Sequence, residues 1–305
     1  MRKACEPSCT ASKPSPSGLT LRMGAAHRAP RGALAFGLCV LTSAALAQTL
    51  GSKAPPVSPE EVGELRKGSG ILNGYLARAQ YPDSLSLLPP PPAAGSAQAQ
   101  ADLQIHQQSR GLREGPRWAL ATRDVSLDYP TVIQTFSCAL NLPLGSNETP
   151  HLNMLLRRSM VDAGLATYRA KDHYQRQRPF AALKESTCAP AEEAKLERDG
   201  SYPSGHAALG WAVGMVLTSL APERGNALLQ RGHAFGQSRM VCGVHWQSDV
   251  DAGRLVGAAA VARLQAEPLF VAQAELARQE IVAARQKGLQ ADAAACAQEA
   301  AALKN

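Results

Sequence analysis

No alternation of apolar and polar residues runs far enough along this 305-residue chain to mark a β-strand, so a sheet-based domain is excluded. No segment repeats at a period of ~20 to 50 residues, which removes solenoids and propellers. No Cys-x-x-Cys pair occurs, which argues against a zinc knuckle. After residue 47, no apolar run reaches the ~20 residues of a membrane span. A true basic excess is missing as well. The formal charge is +7, but residues 1–47 hold Arg2, Lys3, Lys13, Arg22, Arg28 and Arg31 against Glu6, a net of +5, leaving +2 for the rest. A nucleic-acid partner is therefore not expected.

What is there begins with a leader. Arg28 and Arg31 precede the apolar run Gly32 to Ala45, and Ala45-Leu46-Ala47 is a small-x-small cleavage site. Residues 1–47 thus read as a secretory signal, with Met23 as an alternative start and Gln48 as the first mature residue. A periplasmic or secreted location is expected, with no membrane attachment in the mature form. Four cysteines remain beyond the leader, Cys138, Cys188, Cys242 and Cys296. An even number in an exported chain fits disulfides, and all three pairings stay open.

An apolar content of 45% is enough for a real core. Residues 48–95 read as an arm with one short helix, because Ser58-Pro59-Glu60-Glu61 is a helix start and Pro89 to Pro92 is an extended polyproline segment. Residues 96–305 read as one helical domain. Helices are expected over Ser96–Gly111, Trp118–Asp124, Pro130–Leu142, His151–Tyr168, Ala207–Leu220, Glu223–Arg239 and Trp246–Gln265. Two more follow in the tail, broken near Gly288. The expected class is all-α, a single-domain bundle.

The chemistry centres on Gly200-Ser201-Tyr202-Pro203-Ser204-Gly205-His206, directly before the apolar run Ala207 to Leu220. Pro203 and Gly205 break regular structure and Ser204 can cap the helix, so free amides should gather at a helix start, where the dipole favours an anion. Two further clusters bear on it. One is Lys171 with Arg178-Pro179. The other is Ser238-Arg239, His245 and Asp249, where the last two stand one helical turn apart. Taken alone, Lys171 and Arg178 read first as a solvated charged face, His206 equally well as a satisfied histidine at a helix start, and the His245–Asp249 pair equally well as structural. Together they supply what phosphoryl transfer needs. Lys171, Arg178, Arg239, the Ser204 hydroxyl and the Gly205 amide would neutralise phosphate oxygens. His245 would attack as a neutral imidazole oriented by Asp249, and His206 would act as general acid and base.

The order Lys-x6-Arg-Pro, Pro-Ser-Gly-His and Ser-Arg-x5-His-x3-Asp resembles the signature of the type 2 phosphatidic acid phosphatase and vanadium haloperoxidase superfamily. Within it the chain is similar to the class A bacterial non-specific acid phosphatases, from about Leu85 to about Gln265, with no departure at a fixed position. The resemblance implies an all-helical bundle, an exported enzyme without metal or cofactor, and phosphate monoesters as small-molecule substrates. It also implies a phosphohistidine on His245, transfer to alcohols in some relatives, and homo-oligomers. Three other readings compete. A haloperoxidase would hold vanadate in the same pocket. A metal hydrolase would use His206, His245 and Asp249 as ligands, among cations that repel a metal. A non-enzymatic phosphate binder would have no use for two histidines.

Overall fold

The computed structural model describes residues 54–304. The leader reading, the Met23 start, the Ala47 cleavage site and the arm up to residue 53 lie outside the described residues. Within them every regular element is a helix, apart from one isolated bridge between Glu64 and Leu72, so the chain is all-α. The longer helices are α1 (Ala97–Ser109), α2 (Pro116–Arg123), α3 (Pro150–Leu165) and α4 (Tyr168–Tyr174). They are followed by α5 (Gly205–Leu220), α6 (Gly225–Cys242), α7 (Gln247–Leu264), α8 (Pro268–Gln286) and α9 (Ala293–Leu303).

Helix α5 is the axis of the bundle. Ser204 caps its start, and Ala221-Pro222 ends it because Pro222 has no N–H to continue the ladder. It is apolar nearly all round, as a helix buried on most sides must be, and it packs against α6, α7 and α3. Ala207, Ala212, Leu217 and Ala221 are fully buried there. Each leucine-sized side chain so buried contributes on the order of 1.5–3 kcal/mol. On the outside α8 lies along α3, and α2 lies against α6. Among the described residues, no single helix is long and apolar enough to cross a membrane.

The expected helices hold, with shifts at their ends, except that Pro130–Leu142 is not one helix. It divides into Thr131–Gln134 and Ser137–Leu140. The cause is tertiary, since the Thr135 carbonyl accepts from the buried Arg231 guanidinium at 3.0 Å. The helix expected to end at Tyr168 stops at Leu165, and the chain restarts as α4.

In the stretch read as an arm, Leu72, Tyr75, Leu76 and Leu88 are buried against the helices. Asp162 on α3 draws this segment in, accepting from the N–H groups of Tyr75 (2.8 Å) and Leu76 (3.2 Å). Two disulfides form, Cys138–Cys296 and Cys188–Cys242. The first ties α9 to the short helix Ser137–Leu140. The second fastens the 184–204 connection to the last residue of α6.

Candidate active site

The segment Gly200 to His206 is stitched to its surroundings through its backbone. The Ser201 N–H donates to the Arg176 carbonyl at 2.8 Å, and the Ser204 N–H donates to the Asp249 carbonyl at 2.9 Å. The Ser204 hydroxyl accepts from the Ala207 N–H at 3.3 Å as the α5 cap, which leaves its own proton available to donate. The Gly205 amide stands in the first turn, where helix N–H groups have no intrahelical acceptor. Helix α7 comes unusually close to this turn. A Cβ on Gly253 would run into the Ser204 carbonyl oxygen and the Ala207 side chain, so only glycine fits.

Gly243 closes α6 in the left-handed region, with φ of 86°. The reversal delivers His245 just before α7 opens at Gln247, and Asp249 follows in the first turn. His245 Nδ1 faces the Asp249 carboxylate and the Ser201 hydroxyl, each at 3.3 Å. The Arg178 Nη1 lies 2.9 Å from His245 Nε2. A guanidinium can only donate, so Nε2 carries the lone pair and Nδ1 the proton. Asp249 is held on every side. It accepts from Arg176 at 2.6 Å, from Ser201 Oγ at 2.5 Å and from the Trp246 N–H at 2.8 Å. Arg176 is fixed in turn by Asp102 on α1, at 2.8 Å.

Lys171, Arg178, Ser204, Arg239, His245 and Asp249 are each at most 3% exposed. The Lys171 ammonium donates to the Gly200 carbonyl and, at 3.1 Å, to the Asp199 carboxylate. Arg178 donates to the same carboxylate at 3.0 Å and is anchored by the carbonyls of Leu196 (2.8 Å), Asp199 (3.0 Å) and Val244 (2.9 Å). Arg239 differs, because its buried Nε and Nη1 find no hydrogen-bond partner among the described residues. Orphaned guanidinium donors cost free energy and point to an anionic guest. Burial and the Arg178 charge push the Lys171 ammonium down to about 8, and the same two causes lower Arg239 to about 9. This crowding of like charges is what an oxyanion site requires. Burial, then Arg178, Lys171 and Arg239, hold His245 well below the usual histidine range, so it is neutral at pH 7.

His206 follows Gly205 in the first turn of α5. Its Nε2 lies 3.0 Å from the Val125 carbonyl. A carbonyl only accepts, so Nε2 bears the proton and Nδ1 is the nitrogen left for chemistry. The ring stacks at 17° on Phe235, with centroids 6.0 Å apart. Protein atoms surround it closely, yet part of its surface stays open to solvent. Burial, then the Arg239 charge, hold it well below its ordinary value.

All the residues read from the sequence thus gather around the first turn of α5: Lys171, Arg178, Ser204, Gly205, His206, Arg239, His245 and Asp249. The sequence reading missed Asp102, Arg176, Asp199 and Ser201. Arg176 looked like one more charge in a polar run, and Ser201 lay inside the key stretch without an assigned partner. A cavity of about 780 Å³ lies elsewhere, between residues 65–82 and α4, and no histidine lines it. A pocket for a small oxyanion need not be large.

The PAP2 superfamily model matches residues 152–266, a span that holds every one of these gathered residues. A non-specific acid phosphatase of Providencia stuartii is 44% identical over 207 residues, covering 68% of this chain and 84% of that protein. An acid phosphatase of Zymomonas mobilis is 38% identical over 205 residues, 67% of this chain and 78% of that protein. A non-specific acid phosphatase of Salmonella typhimurium is 40% identical over 195 residues, 64% of this chain and 78% of that protein. With that identity over most of each relative, and with an all-helical fold around one cation-lined turn, the chain belongs to the class A non-specific acid phosphatases of the PAP2 superfamily.

Proposed function

We propose that this acid phosphatase hydrolyses small phosphate monoesters through a phosphohistidine on His245. The observation that carries the reading is the Arg178–His245 contact at 2.9 Å. It aims the nucleophilic lone pair at the cation that would grip a phosphate oxygen. In the first step His245 Nε2 attacks phosphorus and the bond to the leaving oxygen breaks. The Nδ1 proton of His245 stays between Ser201 and Asp249, which steady the positive ring. Arg178 turns its Nη1 from the ring to a phosphate oxygen, Lys171 adds a point charge, and Arg239 adds its two unpaired donors. The Ser204 hydroxyl and the Gly205 amide complete the set. Protonated His206 gives its proton from Nδ1 to the departing alkoxide. It then takes one from the water that attacks the phosphohistidine, and inorganic phosphate leaves.

Three cations around one oxyanion do the work a metal ion does in other phosphatases, so no metal is required. An alcohol that takes the place of the water would receive the phosphoryl group instead, which makes phosphotransfer a side reaction of the same intermediate. Two disulfides and the leader of residues 1–47 support export to an oxidising compartment, periplasmic or extracellular.

The test is His245→Ala, assayed on p-nitrophenyl phosphate in EDTA, with alkaline quench to trap the base-stable phosphoenzyme. Turnover and trapped label should both disappear, while the unaltered chain should keep full activity in EDTA. Undiminished turnover by the variant would remove His245 from its role.

A further inference from the structure

The Asp199 carboxylate is the one acidic side chain in contact with both Lys171 and Arg178 among the described residues. Its side chain is 34% exposed, against 3% for Lys171 and 2% for Arg178. The carboxylate is therefore the most solvent-exposed member of this three-residue cluster, and it occupies donors of both cations. Its charge is not needed to place them. Arg178 keeps the Leu196, Asp199 and Val244 carbonyls, and Lys171 keeps the Gly200 carbonyl, whatever side chain residue 199 carries.

We propose that Asp199 is a release residue, whose carboxylate competes with phosphate for Lys171 and Arg178 and so speeds the departure of inorganic phosphate. The proposal rests on the phosphate-site reading above. Three unit cations in a low-dielectric pocket would hold a phosphate dianion as tightly after the reaction as before it. Binding that strengthens substrate and product alike adds nothing to turnover, and it slows the last step. One fixed negative charge beside two of the cations removes part of that uniform grip. It leaves Arg239, which has no such competitor, at full strength for the charge that develops in the transition state.

Asp199→Asn and Asp199→Ser should be compared with the unaltered chain near pH 5, where Lys171 is fully charged. Inhibition by inorganic phosphate and its calorimetric binding are the readouts, beside kcat and KM for p-nitrophenyl phosphate. Both variants should bind phosphate about tenfold more tightly, with KM lowered in step and kcat not raised, as expected for one removed unit charge at a partly exposed site. The alkaline limb should also move to lower pH. Lys171 is faced by Arg178, Asp199 and Asp249 and borders His245, and Asp199 is among the groups that hold its proton on. A positional role alone would instead raise KM and weaken phosphate binding. Unchanged or weaker phosphate binding in both variants, at an unchanged melting temperature, would overturn the proposal. Failure of the unaltered chain to release phosphate would instead overturn the phosphatase reading, and that is seen before any variant is made.

Discussion

Gly253→Ala tests whether the contact between α7 and α5 sets the catalytic geometry. The added Cβ would collide with the Ser204 carbonyl oxygen and the Ala207 side chain. Neither can rotate away, because one is backbone and the other is packed in the core. The helices must separate by about 1 Å. Overpacking of this kind costs about 1–3 kcal/mol, offset in part by the ~0.5–1 kcal/mol that alanine gains over glycine inside a helix. The net cost is about 0–2.5 kcal/mol, and at about 2–4 °C per kcal/mol for a chain of this size the melting temperature should fall by at most about 10 °C. The effect on rate should be larger. Asp249 lies one turn before Gly253 and meets the Ser204 N–H through its carbonyl. Moving α7 therefore shifts His245 and Asp249 against the oxyanion turn, and a 1 Å misplacement costs about 10² in rate. The assay is kcat/KM for p-nitrophenyl phosphate beside a thermal melt. Gly164→Ala, near the end of α3, is the control. Its Cβ would meet the Leu209 side chain at an ordinary 3.7 Å, so activity and stability should hold. Full activity in Gly253→Ala, or equal damage in Gly164→Ala, would refute the argument.

His206→Ala should slow alkyl phosphates by about 10²–10⁴ and p-nitrophenyl phosphate far less, because a good leaving group needs no proton; equal losses on both would take His206 out of the acid role. Burial and Arg239 hold His206 low, so its acid form grows only as pH falls. The kcat/KM profile should therefore climb on acidification, and turn down only where His245, which burial and its neighbouring cations also hold low, takes a proton and loses its lone pair; an alkaline optimum would contradict this. Burial raises the Asp162 carboxyl from 3.8 to about 6 despite its two amide donors. A carboxyl with a raised folded value holds its proton more tightly in the native state, so stability should fall as pH rises from about 4 to 6, by at most about 3 kcal/mol. Asp162→Asn should flatten that part of the melting curve against pH, and an unaltered slope would show that other groups cause it.

Much of this arrangement could be read from the chain because it is encoded locally. Ser204 caps α5 within its own heptapeptide, Gly243 enforces a reversal by its positive φ, and His245 and Asp249 are one turn apart. The apolar 3–4 spacing placed most of the bundle. What stayed hidden depends on partners far away in sequence. The break at Thr135 is imposed by Arg231, 96 residues on. The burial of Tyr75 and Leu76 depends on Asp162, at separations of 87 and 86 residues, in a stretch too short of apolar residues to show any period. Arg176 becomes a brace for Asp249 only once Asp102, 74 residues earlier, meets its other nitrogen. Cysteine spacing alone left three pairings, and the choice was made by helices that bring Cys138 to Cys296 and Cys188 to Cys242.

One detail at the end of the chain reaches the centre. Arg231 is bound by Asp124 and by Glu299, which α9 carries inward, and Ser238 and Arg117 extend the same network beside Arg239. Arg231 is thus balanced by two carboxylates, Asp124 and Glu299, the latter carried by α9 and shared with Arg123. Removing the Glu299 charge would leave Asp124 as the sole carboxylate on a buried guanidinium in the network beside Arg239. A helix remote from the pocket in sequence thereby helps keep the floor of that pocket electrically neutral.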